Sequence, residues 1–181
     1  MKSILLSILV SLLLLTQVAM ADGPQMKASV AGGFSYMKEG ETNLGFNLGG
    51  IFKYSLANID PNLSVEGIIT YNYFLPKEEH DYKYNYSMIE ILGGANYNVA
   101  PNINLLGGLG FYQISVDFEY TGNNEYMQAY NSSASDTKLG LFIGGEFQLN
   151  NTLSGRLIMH IPNFDPDFFY LNINVAYSFP L

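Results

Sequence analysis

Apolar and polar side chains alternate along most of the chain, and this alternation is its main structural signal. Over residues 63–73, large apolar residues occupy the odd positions except at Gly67, and most of the even positions are polar. Successive side chains of a β-strand point to opposite faces, so alternation over about ten residues predicts a strand. Eight segments show the pattern: residues 26–36, 43–55, 63–73, 89–99, a segment beginning at Ile103, 138–149, 153–161 and 169–179.

The connections between these segments alternate in length. Residues 56–62, 100–102 and 150–152 form short connections rich in Asn and Pro. The other connections, residues 37–42, 74–87, 120–137 and 162–168, are polar and mostly longer. Because consecutive strands usually lie side by side, this alternation predicts an up-and-down antiparallel meander in one all-β domain.

The charged residues of the predicted strands all lie on the polar face. They are Lys27, Lys53, Glu66, Glu90, Lys138, Glu146 and Arg156. A soluble barrel has an apolar interior and a charged exterior. A membrane-spanning strand needs about 9–11 residues, and one Lys or Arg on its lipid face at mid-membrane costs about 2–4 kcal/mol. The pattern therefore predicts an eight-stranded antiparallel up-and-down transmembrane β-barrel, with a soluble eight-stranded ligand carrier as an alternative.

The first 21 residues have the three parts of a secretory signal peptide. Lys2 precedes an apolar run of 12 residues, and Ala19-Met20-Ala21 forms a small-x-small cleavage site. The run is shorter than the roughly 20 residues of a spanning helix. The sequence therefore predicts a signal peptide over residues 1–21 and a barrel domain over residues 22–181.

Composition narrows the classes of partner and site. The chain has 8 Lys plus Arg against 16 Asp plus Glu, a net charge of −8, which disfavours nucleic-acid binding. Cysteine is absent, which excludes disulfides and thiolate metal sites. Glycine pairs such as Gly93-Gly94 lie within strands, so they lack the strand–loop–helix context of a nucleotide site. We predict no bound cofactor.

The pattern resembles the small outer-membrane β-barrel proteins of Gram-negative bacteria, the eight-stranded outer-membrane protein A/X and opacity-like group. The turns at Asp60-Pro61-Asn62 and Ala100-Pro101-Asn102 resemble the periplasmic turns of that family, and residues 171–179 resemble its closing strand. The resemblance implies a bacterial outer-membrane location, contact with outer-membrane lipid and lipopolysaccharide, and insertion by the barrel-assembly machinery. The family usually ends on an aromatic residue, whereas two residues follow Phe179 here.

Inward-facing charges predict the state of the lumen. Eight strands enclose an interior just wide enough for side chains to fill. The short turns place Lys53 opposite or diagonal to Glu66, and Glu146 beside Arg156, with Glu90 nearer the outer end. We predict two ion pairs between neighbouring strands, since buried charges persist when they are paired. Such pairs favour a plugged lumen, and a narrow solute channel is the alternative.

Two histidines are candidate catalytic residues. His80 lies in a charged, polar stretch typical of a solvated turn, and His160 lies on the polar face of its strand. Some barrels of the resembled group modify lipid A, and a deacylase-like triad would need Ser or Thr beside His160 together with a carboxylate. The preceding strand offers Gly140 at about that level. We therefore predict no catalysis, with a lipid-modifying enzyme as the alternative.

Acidic residues outnumber lysines in the predicted outer loops and their stems. Hard divalent cations favour carboxylate oxygens, so cations shared with lipopolysaccharide phosphates are one interpretation. The spacing fits no defined ion-binding loop, which favours a solvated rim. We predict no metal site.

A second pattern lies above the predicted membrane on the fourth and fifth strands. Near Met88 and Tyr112 the apolar phase moves by one residue on both strands. Matching shifts predict paired β-bulges or a hairpin that continues past the membrane. An exposed apolar face usually marks an interaction surface, so we predict a surface-interaction, adhesin-like role with an extracellular protein partner. The alternative is that the face packs against other loops. The residues of this face are Tyr82, Tyr84, Tyr86, Val116, Phe118 and Tyr120.

Overall fold

The computed structural model describes residues 26–39, 41–79, 81–121 and 132–179, and the regular elements there are β-strands. In these ranges, no helix is long and apolar enough to cross a membrane. The predicted signal peptide lies outside the described residues. The strands are β1 (Met26–Glu39), β2 (Glu41–Ser55), β3 (Leu63–Phe74), β4 (Lys77–Glu79), β5 (Tyr82–Ala100), β6 (Ile103–Tyr120), β7 (Ser132–Gln148), β8 (Leu153–Pro162) and β9 (Phe169–Ser178).

Eight of these strands form a closed antiparallel barrel. Neighbours in sequence pair with one another, and β1 pairs with β9 to close the sheet. The three-residue strand β4 pairs only with the outer end of β5, while β3 pairs with β5 directly along the wall. The predicted eight-stranded up-and-down architecture is confirmed.

The strands are staggered as they go around the barrel. Following ladder partners from Lys27 on β1 through Glu66 and Phe142 leads back to β1 at Met37, ten residues further along the chain. Closing eight strands with a stagger requires a strand tilt of about 35–45°. Consequently, ladder partners on adjacent strands lie at different heights along the barrel axis.

Outward-facing side chains are apolar, and inward-facing ones include the charges. Leu48 and Ile173 are 64% and 58% exposed, whereas Glu66 and Arg156 are 4% and 3% exposed. The apolar outer wall is the surface that lipid requires, and a soluble carrier would have the reverse arrangement. The predicted orientation is confirmed. Aromatic residues near strand ends also face outward, as an interfacial girdle requires: Tyr54, Tyr71, Tyr73, Tyr97, Tyr177 and Phe179.

Several strands extend further outward than the alternating pattern predicts. The sequence places a loop over residues 37–42, but β1 continues to Glu39 and β2 begins at Glu41. Similarly, β5 begins at Tyr82 and β7 at Ser132, each several residues before the predicted start. Outside the membrane, lipid no longer imposes an apolar outer face, so a strand continues there without the pattern by which it is detected.

Two inward-facing glycines make room for an aromatic ring in the lumen. Gly94 and Gly108 are ladder partners, and a Cβ on either would collide with the neighbouring backbone and with the ring of Phe142. Phe142 is 1% exposed. A larger residue at either glycine would therefore displace a ring that fills the interior.

Candidate functional site

Four charged side chains form a cluster in the lumen near the short turns. Lys53 Nζ lies 2.8 Å from Glu146 Oε2, and Arg156 Nη2 lies 2.7 Å from Glu66 Oε1. Asn96 Nδ2 donates to both carboxylates, at 3.3 Å from Glu66 Oε2 and 3.1 Å from Glu146 Oε2. Each carboxylate is thus held by one cation and by a shared amide. We call Lys53, Glu66, Glu146 and Arg156 the charge quartet.

The predicted ion pairs within the quartet are wrong, although the predicted strand register is found. Lys53 is the ladder partner of Glu66, and Glu146 is the ladder partner of Arg156. The ion pairs instead join β2 to β7 and β8 to β3. In so narrow a barrel the inward side chains converge on the axis, so a long side chain reaches across the lumen as readily as along the wall.

A second polar group occupies the lumen nearer the long loops. Glu90 is 0% exposed, and its Oε1 accepts hydrogen bonds from Tyr170 Oη at 2.7 Å and from Asn72 Nδ2. Asn172 Nδ2 also donates to this oxygen, at 3.5 Å. Glu90 Oε2 lies 3.7 Å from His160 Nδ1, and neither atom has a hydrogen-bond partner among the described residues. We call Asn72, Glu90, His160, Tyr170 and Asn172 the Glu90 cluster.

His160 is enclosed within the Glu90 cluster. Its ring stacks on Tyr170 with 4.5 Å between the centroids and 1° between the planes. Its Nε2 lies 3.2 Å from Asn172 Nδ2. The ladder partner of His160 is Phe142, two residues beyond the predicted Gly140. The ring is 1% exposed and faces the axis, away from the lipid-facing wall. The other candidate, His80, lies outside the described residues.

Large apolar and aromatic side chains are buried around the Glu90 cluster. Phe74 and Met88 are each 1% exposed, and Tyr112 is 0% exposed. Tyr112 Oη donates to Leu141 O at 3.1 Å, and its ring packs edge-on against Tyr170. The outer half of the lumen is therefore filled by side chains.

β5 and β6 continue past the apolar belt as a hairpin. Their ladder runs without interruption from Tyr82 paired with Tyr120 to Asn98 paired with Asn104, and its irregularity lies beyond Asn98. Within this ladder there is no bulge near the predicted shift at Met88. The paired-bulge prediction is wrong, and the structure shows the continuing hairpin.

The shift in apolar phase reflects a change of surroundings. On β5, Met88, Glu90 and Leu92 face the lumen, and Tyr86 and Tyr84 continue the same alternation outward. The aromatic residues above the membrane therefore lie on the axis-facing side of the hairpin. Within the membrane the outer wall is apolar because it meets lipid. Above the membrane the outer wall meets water, so the apolar side turns inward.

Cross-strand pairs on the axis-facing side form a ladder of rings. The ring centroids of Tyr82 and Tyr120 are 5.3 Å apart, and those of Tyr84 and Phe118 are 5.3 Å apart, both edge-to-face. Tyr86 packs against the buried core of the lumen. Together with Val116, these half-buried residues form what we call the outer-hairpin face: Tyr82, Tyr84, Tyr86, Val116, Phe118 and Tyr120.

Strand β7, next to β6 of the hairpin, carries an exposed ion pair near its outer end. Lys138 Nζ lies 2.6 Å from Asp136 Oδ2, and the side chains are 38% and 64% exposed. The hydrogen bond from Lys138 holds the pKa of the Asp136 carboxyl below its usual range. Among the described residues, no group of three or more His, Asp or Glu is placed to hold a metal ion.

Solved outer-membrane barrels have a similar fold. Ail, the attachment invasion locus protein of Yersinia pestis, was solved in complex with the heparin analogue sucrose octasulfate; it matches with a TM-score of 0.61 and 16% identity over 86% of this chain and 100% of that one. OprG from Pseudomonas aeruginosa matches with a TM-score of 0.58 and 14% identity over 86% and 96%. Neisserial surface protein A matches with a TM-score of 0.55 and 8% identity over 87% and 98%. At these identities, the likeness shows the fold alone.

Comparison with curated protein sequences finds no match. A family model described as the outer membrane protein beta-barrel domain matches residues 7–179. That match spans nearly the whole chain and agrees with the closed barrel, its apolar outer wall and its enclosed charges. The protein therefore belongs to the family of outer membrane protein beta-barrel domains and resides in the bacterial outer membrane.

Proposed function

We propose that this outer-membrane barrel has a structural and surface-interaction role, in which the outer-hairpin face binds an extracellular protein partner. The observation that carries the proposal is the aromatic ladder on strands that project beyond the membrane. Tyr and Phe offer large, rigid contact areas, and aromatic anchors dominate the energetics of many protein interfaces.

The charge of the outer surface favours a protein partner over a polyanion. The structure of Ail contains a heparin analogue, a sulfated sugar. Among the described residues on the outer side of the present barrel, exposed carboxylates outnumber the exposed Lys38; they include Glu78, Asp117, Glu119, Asp165 and Asp167. Like charges repel an approaching polyanion. A sulfated polysaccharide therefore suits Ail better than this chain.

The packing of the lumen supports a plug and not a solute channel. Two cross-lumen ion pairs lie near the short turns, and buried rings fill the opposite half. For a solute to pass, the ion pairs would have to break and the buried rings would have to move apart. We expect no stable conductance from pure protein in a planar bilayer, and regular nanosiemens-scale steps would contradict the plug.

A non-catalytic role is supported by the position of His160. Acyl chains of a lipid substrate lie against the outer wall, whereas this ring is buried and faces the axis. Its neighbours are aromatic rings, an amide and the Glu90 carboxylate. We expect unchanged lipid A acylation in cells that produce the protein, and a modification that disappears in His160→Ala would contradict this.

The proposal also includes how the protein reaches the outer membrane. Residues 1–21 are removed on export, so the mature protein should begin at Asp22. Its measured mass should equal that of residues 22–181. The barrel is then inserted by the barrel-assembly machinery among outer-membrane lipid and lipopolysaccharide. A mature protein that retains residues 1–21 would contradict the predicted signal peptide.

The surface role is tested by photo-crosslinking from either side of the same strand. One variant carries a photo-reactive amino acid in place of Tyr84, on the outer-hairpin face. A second variant carries it in place of Lys83, on the opposite side of the strand. Each variant is displayed on intact bacteria that are in contact with other cells. We expect a cross-link from position 84 to a separate extracellular protein, and much less from position 83. Cross-links from position 84 that join only loops of the same chain would show internal packing and would contradict the proposal.

A paired substitution sharpens the test. Tyr84→Ser with Phe118→Ser removes one rung of the aromatic ladder, and Lys83→Ser with Glu119→Ser removes the adjacent rung on the opposite face. We expect at least a tenfold loss of cell binding in the first protein alone. Equal losses in both would contradict a specific aromatic surface.

A further inference from the structure

At the end with the short turns, the lumen opens into a cavity of about 320 Å³. Short turns of such barrels face the periplasm, so this cavity lies on the membrane side opposite the outer hairpin. Its volume is in the range of small-molecule sites. Its wall carries the cations Lys27, Lys53 and Arg156, a single carboxylate from Glu146, and otherwise mostly Asn and Ser side chains.

Lys27 is an exposed cation of this wall, and it has no ion-pair partner among the described residues. Lys53 is paired with Glu146, and Arg156 is paired with Glu66. Among the described residues, no carboxylate lies within ion-pair distance of Lys27. Lys27 and Lys53 are also ladder partners, and like charges directly opposite each other destabilise a sheet. A bound anion beside Lys27 would relieve that repulsion.

An independent observation concerns Arg156. Its side chain is 1% exposed and lines the cavity, and its Nη2 is bonded to Glu66 Oε1. Its Nε has no hydrogen-bond partner in the described part of the chain. Leaving a buried donor unpaired costs about 1–3 kcal/mol. The Nε atom is itself enclosed, so an acceptor in the cavity would reach it only if the guanidinium turned toward the opening.

The remainder of the wall suits hydroxyl groups. Next to Lys27, the hydroxyls of Ser29 and Ser178 are hydrogen-bonded to each other at 2.9 Å. Further round, Asn98 Nδ2 donates to Asn104 Oδ1 at 2.8 Å. Hydroxyl and amide groups both donate and accept hydrogen bonds, as the hydroxyls of a sugar do.

We propose that this cavity binds a small hydroxylated oxyanion from the periplasmic side, of the class of sugar acids and sugar phosphates. Lys27 contacts the anionic group, and the Ser and Asn side chains contact the hydroxyls. The cavity and the outer-hairpin face lie at opposite ends of the barrel, so the proposal is independent of the surface-interaction role.

The test is a titration of the full mature protein in detergent micelles, followed by amide NMR shifts. The probes are glucose 6-phosphate, gluconate, inorganic phosphate and glucose. We expect saturable shifts at Lys27 and Ser178, with glucose 6-phosphate or gluconate bound at least tenfold more tightly than inorganic phosphate or glucose. The two charged sugars distinguish a phosphate ligand from a carboxylate ligand.

Matched variants isolate the role of Lys27. Lys27→Gln should weaken the binding of the charged sugars at least tenfold, and Lys27→Arg should restore most of it. Lys138→Gln removes a lysine at the opposite end of the barrel and should leave binding unchanged. Heat-modifiable gel migration verifies that each variant is folded.

Three results would overturn the proposal. The first is the absence of saturable shifts with every probe. The second is equal weakening by Lys27→Gln and Lys138→Gln, which would indicate a general effect of net charge. The third is inorganic phosphate binding as tightly as the charged sugars, which would exclude recognition of the hydroxyl groups.

Discussion

The lumen of this barrel holds buried carboxylates in two different ways. In the charge quartet, Glu66 and Glu146 each have a cation within 2.8 Å. In the Glu90 cluster, a phenol and two amides donate to Glu90, and His160 lies 3.7 Å away. Both arrangements offset the loss of water around a carboxylate, the first mainly by charge and the second by neutral hydrogen bonds.

The difference predicts how much a substitution in each group lowers the stability of the protein. Removing one member of an ion pair leaves the opposite charge buried without its counterion, which is strongly destabilising. Removing charge from a carboxylate held by neutral donors leaves most of those hydrogen bonds in place. The same Glu→Gln substitution should therefore have unequal effects in the two groups.

The largest effect is expected from Glu66→Gln. Arg156, 3% exposed, would lose its counterion. Breaking a buried pair costs about 3–5 kcal/mol, and we expect the lower end because Glu146 lies in the same cluster. The measurement is the free energy of unfolding from urea titrations in lipid vesicles. Replacing both partners, with Glu66→Leu and Arg156→Met, should recover most of the loss. If the double substitution were as unstable as the single one, the explanation by an unpaired charge would fail.

Tyr170→Phe should have an intermediate effect. It removes the hydroxyl that donates to Glu90 Oε1 at 2.7 Å and keeps the ring that stacks on His160. A hydrogen bond to a buried charged group contributes about 1.5–3 kcal/mol. Tyr112→Phe is the matched control, because its hydroxyl donates to the neutral carbonyl of Leu141. We expect a loss of about 0.5–1.5 kcal/mol in the control. Equal losses would show that Glu90 is not ionised when it accepts this hydrogen bond from Tyr170.

Glu90→Gln should have a smaller effect than either. The amide oxygen can still accept from Tyr170 and Asn72, so most of the hydrogen bonds made to Glu90 are kept. We expect a change of about 1 kcal/mol or less in the free energy of unfolding. A loss as large as that of Glu66→Gln would show that the two groups do not differ as described.

The smallest effect is expected at the rim, where Asp136 and Lys138 form an ion pair in water. The pKa of Asp136 is lowered, so the stabilisation by this pair is present above the unfolded pKa of about 3.9 and disappears as pH falls through the folded pKa. Exposed pairs contribute little because water screens them. Lys138→Gln should raise the pKa of Asp136 toward its usual value in an NMR titration, without changing heat-modifiable migration. A pKa that stays low would assign the shift to another cause.

Local alternation was enough to predict the barrel. Each strand must place apolar side chains toward lipid and polar ones toward the lumen, so the number of strands, the short turns and the face carrying Glu66 and Arg156 can all be read from the chain. The register of Lys53 against Glu66 also follows, since a short turn aligns the two strands that it joins.

Contacts across the lumen and above the membrane required the tertiary structure. Alternation places Asn72, Asn96 and Asn172 in the polar phase, but it gives no sign that they hold particular carboxylates. The partners within the charge quartet and the axis-facing direction of the outer hairpin were likewise decided by closure of the sheet. The physical reason is that each strand contacts lipid by itself, so its own sequence must alternate between apolar and polar residues. Which side chains contact one another inside the lumen depends on the stagger and curvature of all the strands together.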